Sequence, residues 1–497
     1  MKKKLLVLSV LSFLGLSLLG GCKKAPNDDG DIDYTDEGDI ERVDGNIVYN
    51  NVELKLVTVT TGDDGSIQEN IINEFNTLYD GQIHVTSEHV SRYDLEGQLE
   101  TAFNFDKASF PDIIFNHGNR VNEYKERGWI ANLDKIAAKA DVLIDRDDFA
   151  SSLLEPALVD NEIYGLPIDV HSAIMEVRTD ILKKNNLEIP TNYQELCALE
   201  DKVNDLAKKG QFYIRGYNSE NKPATEWRLA STEDPYRIFP ISYGDMWVHE
   251  FVDYTAIVQN GAKIIENGMP AWNSKESATG LGVLRDWLFP SETSLNKNAL
   301  SKDYKSDYDV GDAPFRAGTC LFKLQGPWSY KKDMDDFDNL LKADGGSANI
   351  TTRALSNLFA KDPSKEYASK VKGEGHCVMV SSTIESQTKR CAAAVFADYL
   401  VYNSGIEWAK KGHIPAAKSV LNSSSFKEDE AYDKYIKYWG LPTDYVVFPP
   451  TKYFSTIDTF FKTAASQSIT ADFLRNDISQ LLELAYNDCM NYIELYA

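Results

Sequence analysis

The run Glu162-Ile163-Tyr164-Gly165-Leu166-Pro167-Ile168-Asp169-Val170-His171 is short, apolar and carries a proline inside it. Proline donates no ladder hydrogen bond, so the run suits an edge or crossing strand better than a central one. We read it as the passage of the chain from one structural unit to another. On its amino-terminal side, strands and helices alternate. Val52, Leu54, Leu56 and Val59 predict a strand, Thr60 to Gly65 a polar turn, and Ile67, Ile71, Ile72, Phe75 and Leu78 a helix. Ile83 to Val90 is a second strand and Leu95 to Phe105 a second helix. Pro111 to Phe115 is a short buried strand ending in the polar loop Asn116-His117-Gly118-Asn119, and Val121 to Gly128 resumes as helix. This alternation predicts an α/β fold with a mainly parallel sheet, whose binding crevice lies beyond the carboxyl ends of its strands. The loops at Thr60 to Asp64 and Asn116 to Asn119 then share one mouth.

Beyond the crossing run, Leu196 to Leu206, Thr255 to Glu266 and Lys275 to Leu288 read as helices, the last behind an Asn273-Ser274 cap. Cys320 to Leu324 is a strand that opens into Gln325-Gly326-Pro327-Trp328, and Gly375 to Val380 is another. Ala392 to Tyr402 and Ile406 to Lys411 are helical and finish at His413-Ile414-Pro415-Ala416. The tail from Thr456 to Tyr496 is amphipathic helix.

The chain has 497 residues, about three times a typical domain of roughly 150, which excludes a single small module. Apolar residues make up 43% and charged residues 26%, enough to fill large cores. The net charge of -24 repels phosphate backbones and anionic lipids, so nucleic acid is not an expected partner. Met1-Lys2-Lys3-Lys4, the apolar run Leu5 to Leu19 and the small residues Gly20-Gly21 read as a signal peptide over 1–21. That run is shorter than the roughly 20 residues a spanning helix needs. Residues 22–50 are rich in Asp, Glu, Gly and Asn and predict a self-repelling acidic linker. Asp33, Thr35, Glu37, Gly38 and Asp44 echo a calcium loop poorly, with no closing Glu, so a solvated linker is the better reading. After Cys22, the cysteines Cys197, Cys320, Cys377, Cys391 and Cys489 are widely spaced and read as packed thiols, with a Cys320–Cys377 bridge left open.

Four segments, in order, resemble the carbohydrate-type extracellular solute-binding proteins of bacterial ABC importers, the maltose-binding-protein-like group. They are Phe110-Pro111-Asp112-Ile113-Ile114 with Gly128 to Asp134; Tyr164 to Asp169 with Arg178 to Leu182 and Pro190 to Leu196; Phe315 to Cys320 with Gly326-Pro327-Trp328; and Val378 to Ser381 through Ala394, Phe396, Leu400 and Pro415. Leu19-Gly20-Gly21-Cys22 likewise resembles the lipobox, which implies diacylation of Cys22. The chain departs from the family pattern at Arg178-Thr179, at Tyr193 and at Cys320-Leu321. The resemblance implies a two-lobed periplasmic-binding-protein-like fold with hinge crossings near Pro167, Gly375 and Pro415. One lobe would combine 51–166 with 375–415, the other 167–374 with 416–497. It further implies a monomeric lipoprotein on the outer face of the cell membrane that passes a captured carbohydrate to ABC permease subunits, whose partner ATPases supply the energy.

A sugar presents hydroxyls at its edge and apolar C–H faces, so its receptor needs aromatic platforms beside carboxylates and amides. Trp328, behind a Gly-Pro turn, is a candidate platform, and Tyr243, Asp245 and Trp247 could line a wall; core packing is the competing reading for all four. Asp169 and His171 are alternate residues of one strand and point the same way, an acceptor beside a donor. Asn116 and His117 end one strand and Thr61, Asp63 and Asp64 another; a solvated turn is the better reading of the acidic pair, and ligand binding the better reading of Asn116. A polyamine, peptide, sugar phosphate or metal cargo is the alternative within the receptor class. A secreted carbohydrate-active enzyme is the alternative outside it, although no nucleophile elbow, phosphate-cradling loop or His-Glu-x-x-His is present. His84 and His89 stand five apart, which does not align two ligands on a helix, so neither metal nor cofactor is expected.

Overall fold

The computed structural model describes residues 32–216, 226–230, 239–243, 248–301, 312–328, 350–429, 432–433, 436–440, 444–470 and 473–496. Strand β1 (Val52–Thr58) leads into helix α1 (Gly62–Leu78), β2 (Ile83–His89), α2 (Leu95–Phe105) and β3 (Ile113–His117). The crossing run becomes β4 (Leu166–Pro167) and β5 (Asp169–Val170), followed by β6 (Ile174–Val177), β7 (Phe239–Tyr243), α3 (Val248–Val258) and α4 (Lys275–Leu288). Then come β8 (Cys320–Gln325), β9 (Thr351–Ala354), β10 (His376–Val380), α5 (Gln387–Tyr402), β11 (Ile414–Pro415), α6 (Phe454–Ser468) and α7 (Ile478–Tyr496). The helical spacing of Ile71, Ile72 and Phe75 buries one face of α1, and Phe75 meets Phe396 and Tyr399 of α5 edge-on.

Two sheets anchor the two lobes. The first has the order β2-β1-β3-β10-β4, with β1 parallel to β2 and β3. Strand β10 runs antiparallel to both β3 and β4, so the sheet is mixed where a mainly parallel one is expected. The reason is topological: β10 enters from a later crossing rather than from a right-handed helical crossover. The second sheet has the order β7-β8-β6-β9, with β7 parallel to β8 and β6 antiparallel to its two neighbours.

Between the sheets, three stretches of chain lie side by side. Asp169 pairs with Pro415 and Val170 with Ile414, while His171 and Glu374 form an isolated bridge. Gly375 makes this approach possible: a Cβ there would stand 2.3 Å from the Asp169 carbonyl oxygen.

Local readings differ at three places. The helix expected over Thr255 to Glu266 is α3, which starts at Val248 and stops at Val258; Gly261 turns the chain at φ +92. Ile265–Glu266 then pairs with Met269–Pro270 across Asn267 and Gly268, both at positive φ, an Asn-Gly hairpin. The tail is not one helix but α6 and α7, packed on each other and on α4. The acidic linker does not project from residue 32 onward. Ile32, Tyr34, Ile40, Ile47 and Tyr49 pack on the core, the Tyr34 hydroxyl accepts from the Asn132 N–H at 2.9 Å, and Arg42 pairs with Asp141 at 2.6 Å. Apolar residues every few positions let this acidic segment dock where its charge alone predicts extension. The five cysteines after Cys22 are buried thiols with no disulfide among them, so the Cys320–Cys377 bridge is not formed. Among the described residues, no helix is long and apolar enough to cross a membrane.

Candidate functional site

The three crossings bring four buried side chains to one point. Asp169 stands 3.3 Å from His171 Nδ1, 2.8 Å from His376 Nδ1 and 3.3 Å from His413 Nδ1. The His376 backbone N–H donates to its Oδ1 at 3.0 Å, and the Trp408 indole N–H donates to its Oδ2. Burial works to raise the Asp169 pKa, but the neighbouring His376 and His413 and these hydrogen bonds hold it well below the usual carboxylate range. Burial pushes His171 down to about 4, so it is neutral at pH 7. His413 is raised to about 10 despite burial, because Asp64 and Asp169 flank it. The His117 ring stacks on His376 at 4.8 Å, and burial lowers its pKa against the pull of Glu374.

Next to this cluster lies a narrow crevice between the lobes, its aromatic lining largely buried in this arrangement. Phe251 and Tyr254 of α3, with Phe448 and Phe454, supply its apolar surface, while Arg92, Glu250, Lys372, Glu374 and Asp458 supply its polar groups. Arg92 reaches Glu250 at 3.1 Å; Lys462 reaches Glu250 at 2.7 Å and Asp458 at 2.6 Å; the Tyr254 hydroxyl donates to Asp458 at 2.8 Å. Burial lowers the pKa of Lys372, whose ammonium lies 4.3 Å from the centre of the Phe448 ring. Glu374 is held well below its usual range against burial, by His117, Lys372 and Arg92. The Trp328 ring meets His171 edge-on at 5.8 Å and Phe251 at 6.1 Å, which places it where cluster and crevice join.

The structure therefore brings together Asp169, His171, His117 and Trp328. Asn116 lies beside them but is committed to packing, donating to the Tyr124 hydroxyl at 2.7 Å and accepting from the His117 N–H at 2.8 Å. Thr61 stands just before α1 and Asp63 on its first turn, both exposed and outside the cluster, with Asp63 paired to Lys411 at 3.2 Å. Tyr243 closes β7 opposite Leu324, its side chain outside the described residues. Asp245, Trp247 and Cys22 also lie outside the described residues. Trp272 is core, against Phe461 and Tyr486. Sequence reasoning missed Arg92, Glu250, Lys372, Glu374, His376 and His413. For the last three a signal existed, since they flank Gly375 and Pro415, crossings that the family resemblance implies.

The amino-acid sequence matches the family of bacterial extracellular solute-binding proteins over residues 70–434. No curated protein matches it by sequence. Its fold is similar to that of the GacH receptor of Streptomyces glaucescens GLA.O, solved unliganded and with acarbose, at 14% identity and a TM-score of 0.62, over 88% of this chain and 98% of that one. It is also similar to a cyclic α-maltosyl-1,6-maltose binding protein from Arthrobacter globiformis (18% identity, TM-score 0.61, 88% and 99% covered). A third likeness is to the Thermus thermophilus maltotriose binding protein (15% identity, TM-score 0.59, 88% and 100% covered). These likenesses identify the two-lobed, maltose-binding-protein-like fold.

Proposed function

Because the chain belongs to the bacterial extracellular solute-binding protein family, we propose that it captures a carbohydrate, specifically an oligosaccharide, between its lobes and delivers it to an ABC permease. The observation that carries this reading is the chemistry of the crevice. Aromatic surfaces from Phe251, Tyr254, Phe448 and Trp328 stand beside acceptors and donors from both lobes, the pairing that apolar sugar faces and hydroxyl edges require. The described charged groups balance: Arg92, Lys372 and Lys462 offset Glu250, Glu374 and Asp458. Such a balance favours a neutral polyhydroxyl ligand over a polyamine or a sugar phosphate. Solved proteins of the same fold bind maltotriose and a cyclic maltosyl-maltose, which directs the choice of ligand toward glucose oligosaccharides.

The same reading makes the chain a monomeric binding protein rather than an enzyme, tethered at the outer face of the cell membrane through diacylated Cys22. Its lobes are 51–166 with 375–415, and 167–374 with 416–497. The bridge between Phe149 and Ala417 leans the start of the last segment on the first lobe. Calorimetry of the full-length protein against linear and cyclic oligosaccharides tests the function, with micromolar or tighter binding and chemically unchanged sugar expected. Heat from a polyamine or peptide but from no saccharide overturns the cargo. New reducing ends would favour a carbohydrate-active enzyme.

A further inference from the structure

We infer that Asp169, His171, His376 and His413 form a binding site for one divalent transition-metal cation of the Zn²⁺ type, at the point where the three chain crossings meet. Each residue offers one ligand atom, these atoms all lie within 4.8 Å of one another, and all four residues are buried. The three imidazole Nδ1 atoms stand 3.3, 2.8 and 3.3 Å from the Asp169 carboxylate. Tetrahedral zinc with bonds of roughly 2.0–2.1 Å sets its ligand atoms about 3.3 Å apart, close to these three distances.

Three further observations point to a cation. Both ring nitrogens of buried His413 lack a hydrogen bond, although one faces Asp169 and the other Asp64. Ligating side chains are normally oriented by an outer layer of hydrogen bonds, and that layer is present here. Trp408 and the His376 backbone N–H hold the Asp169 carboxylate, and Asp64 lies 3.4 Å from His413 Nε2, the place of a carboxylate behind a ligating histidine. The donor set, imidazole-rich with one carboxylate, suits zinc, copper or nickel rather than calcium or magnesium. A crevice lined by Gly118, Glu374, Asp169 and His376 offers a way in.

The ligands come from all three crossings, so a bound cation ties together the segments about which the lobes would turn. It acts as a clasp on the hinge, favouring one lobe arrangement over the other by its differential affinity. The site adjoins the sugar platform, since His171 meets the Trp328 ring edge-on, but its ligand set does not depend on the identity of the cargo.

The test uses full-length protein stripped with a chelator, titrated with Zn²⁺ against a competing chromophoric chelator, and separately loaded with Co²⁺. We expect one equivalent of Zn²⁺, a raised thermal midpoint on loading and a tetrahedral Co²⁺ spectrum. Asp64→Asn should cost about 10–100-fold in Zn²⁺ affinity, and His376→Gln and His413→Gln should cost more. His89→Gln, which lies outside the cluster and faces Glu69, should leave affinity unchanged. Should a ligand variant fail to fold, Asp64→Asn carries the test. Absent stoichiometric uptake, uptake unaffected by His413→Gln and Asp64→Asn, or an octahedral Co²⁺ spectrum each overturns the site and leaves Asp169 and His413 as a buried ion pair.

Discussion

Arg92 and Glu250 meet at 3.1 Å across the cleft, the first just beyond β2 of one lobe and the second on α3 of the other. About a quarter of each side chain is exposed, and Lys462 holds the other carboxylate oxygen of Glu250. The lobes are therefore latched by ions in the arrangement seen here. Glu250→Gln should shift the unliganded equilibrium toward the open form by about 1 kcal/mol, roughly fivefold. Solution scattering should show a larger radius of gyration for the variant without sugar and the same radius with it. Identical unliganded curves for both proteins would remove the latch.

Trp328 is positioned by the glycine two residues before it. A Cβ on Gly326 would stand 2.0 Å from the indole ring, so only glycine lets the ring lie there. Trp328→Ala should weaken a stacked oligosaccharide by on the order of 1 kcal/mol or more. Gly326→Ala should weaken it similarly by displacing the ring. Calorimetry decides, and full affinity in both variants would exclude Trp328 from the sugar site.

Arg178, a departure from the family pattern, has a structural reason. Its buried guanidinium forms a two-point pair with Asp180, both contacts at 2.9 Å, and donates to the carbonyls of Phe315 and Arg215 at 2.7 Å. Arg178→Met leaves a buried carboxylate without its main partner and should destabilise the protein by about 3–5 kcal/mol. Denaturant unfolding measures this, with sugar affinity per folded molecule unchanged.

The docked acidic segment should release in acid. Asp39 accepts from the Thr388 N–H at 3.0 Å and from the Ser386 hydroxyl, at the start of α5. Burial would raise its pKa, but these hydrogen bonds outweigh it and the pKa is lowered. A carboxylate with a depressed folded pKa stabilises fully above its unfolded value, about 3.9, and that contribution is lost as pH falls through the lower folded value. Hydrogen exchange should show residues 32–47 losing protection in that acid range. Asp39→Asn should remove much of the protection already at neutral pH and abolish the step.

The elements of the first lobe were legible because their burial follows local periodicity. Val52, Leu54 and Leu56 predict β1, and Ile71, Ile72 and Phe75 predict α1, with no knowledge of what they pack against. The proline at 167 marked its crossing for an equally local reason, whereas the crossing near Gly375 followed from the family resemblance. The helix end near Asn260 and the Asn267-Gly268 hairpin are also local features, but the apolar run through Ile264 and Ile265 mimics a helix face and masks them. Docking of residues 32–47 was obscured by net charge, which says nothing about a few apolar anchors.

Sequence alone determined the alternation of strands and helices and the crossing near Pro167, since each depends on residues a few positions apart. Tertiary structure alone decided that Asp169 faces His376, 207 positions away, and that His413 joins them. That meeting depends on β10 running antiparallel beside β3 and β4, and on β11 pairing with β5. No spacing rule reaches so far, because the distance between such residues is set by sheet register and not by the chain that joins them.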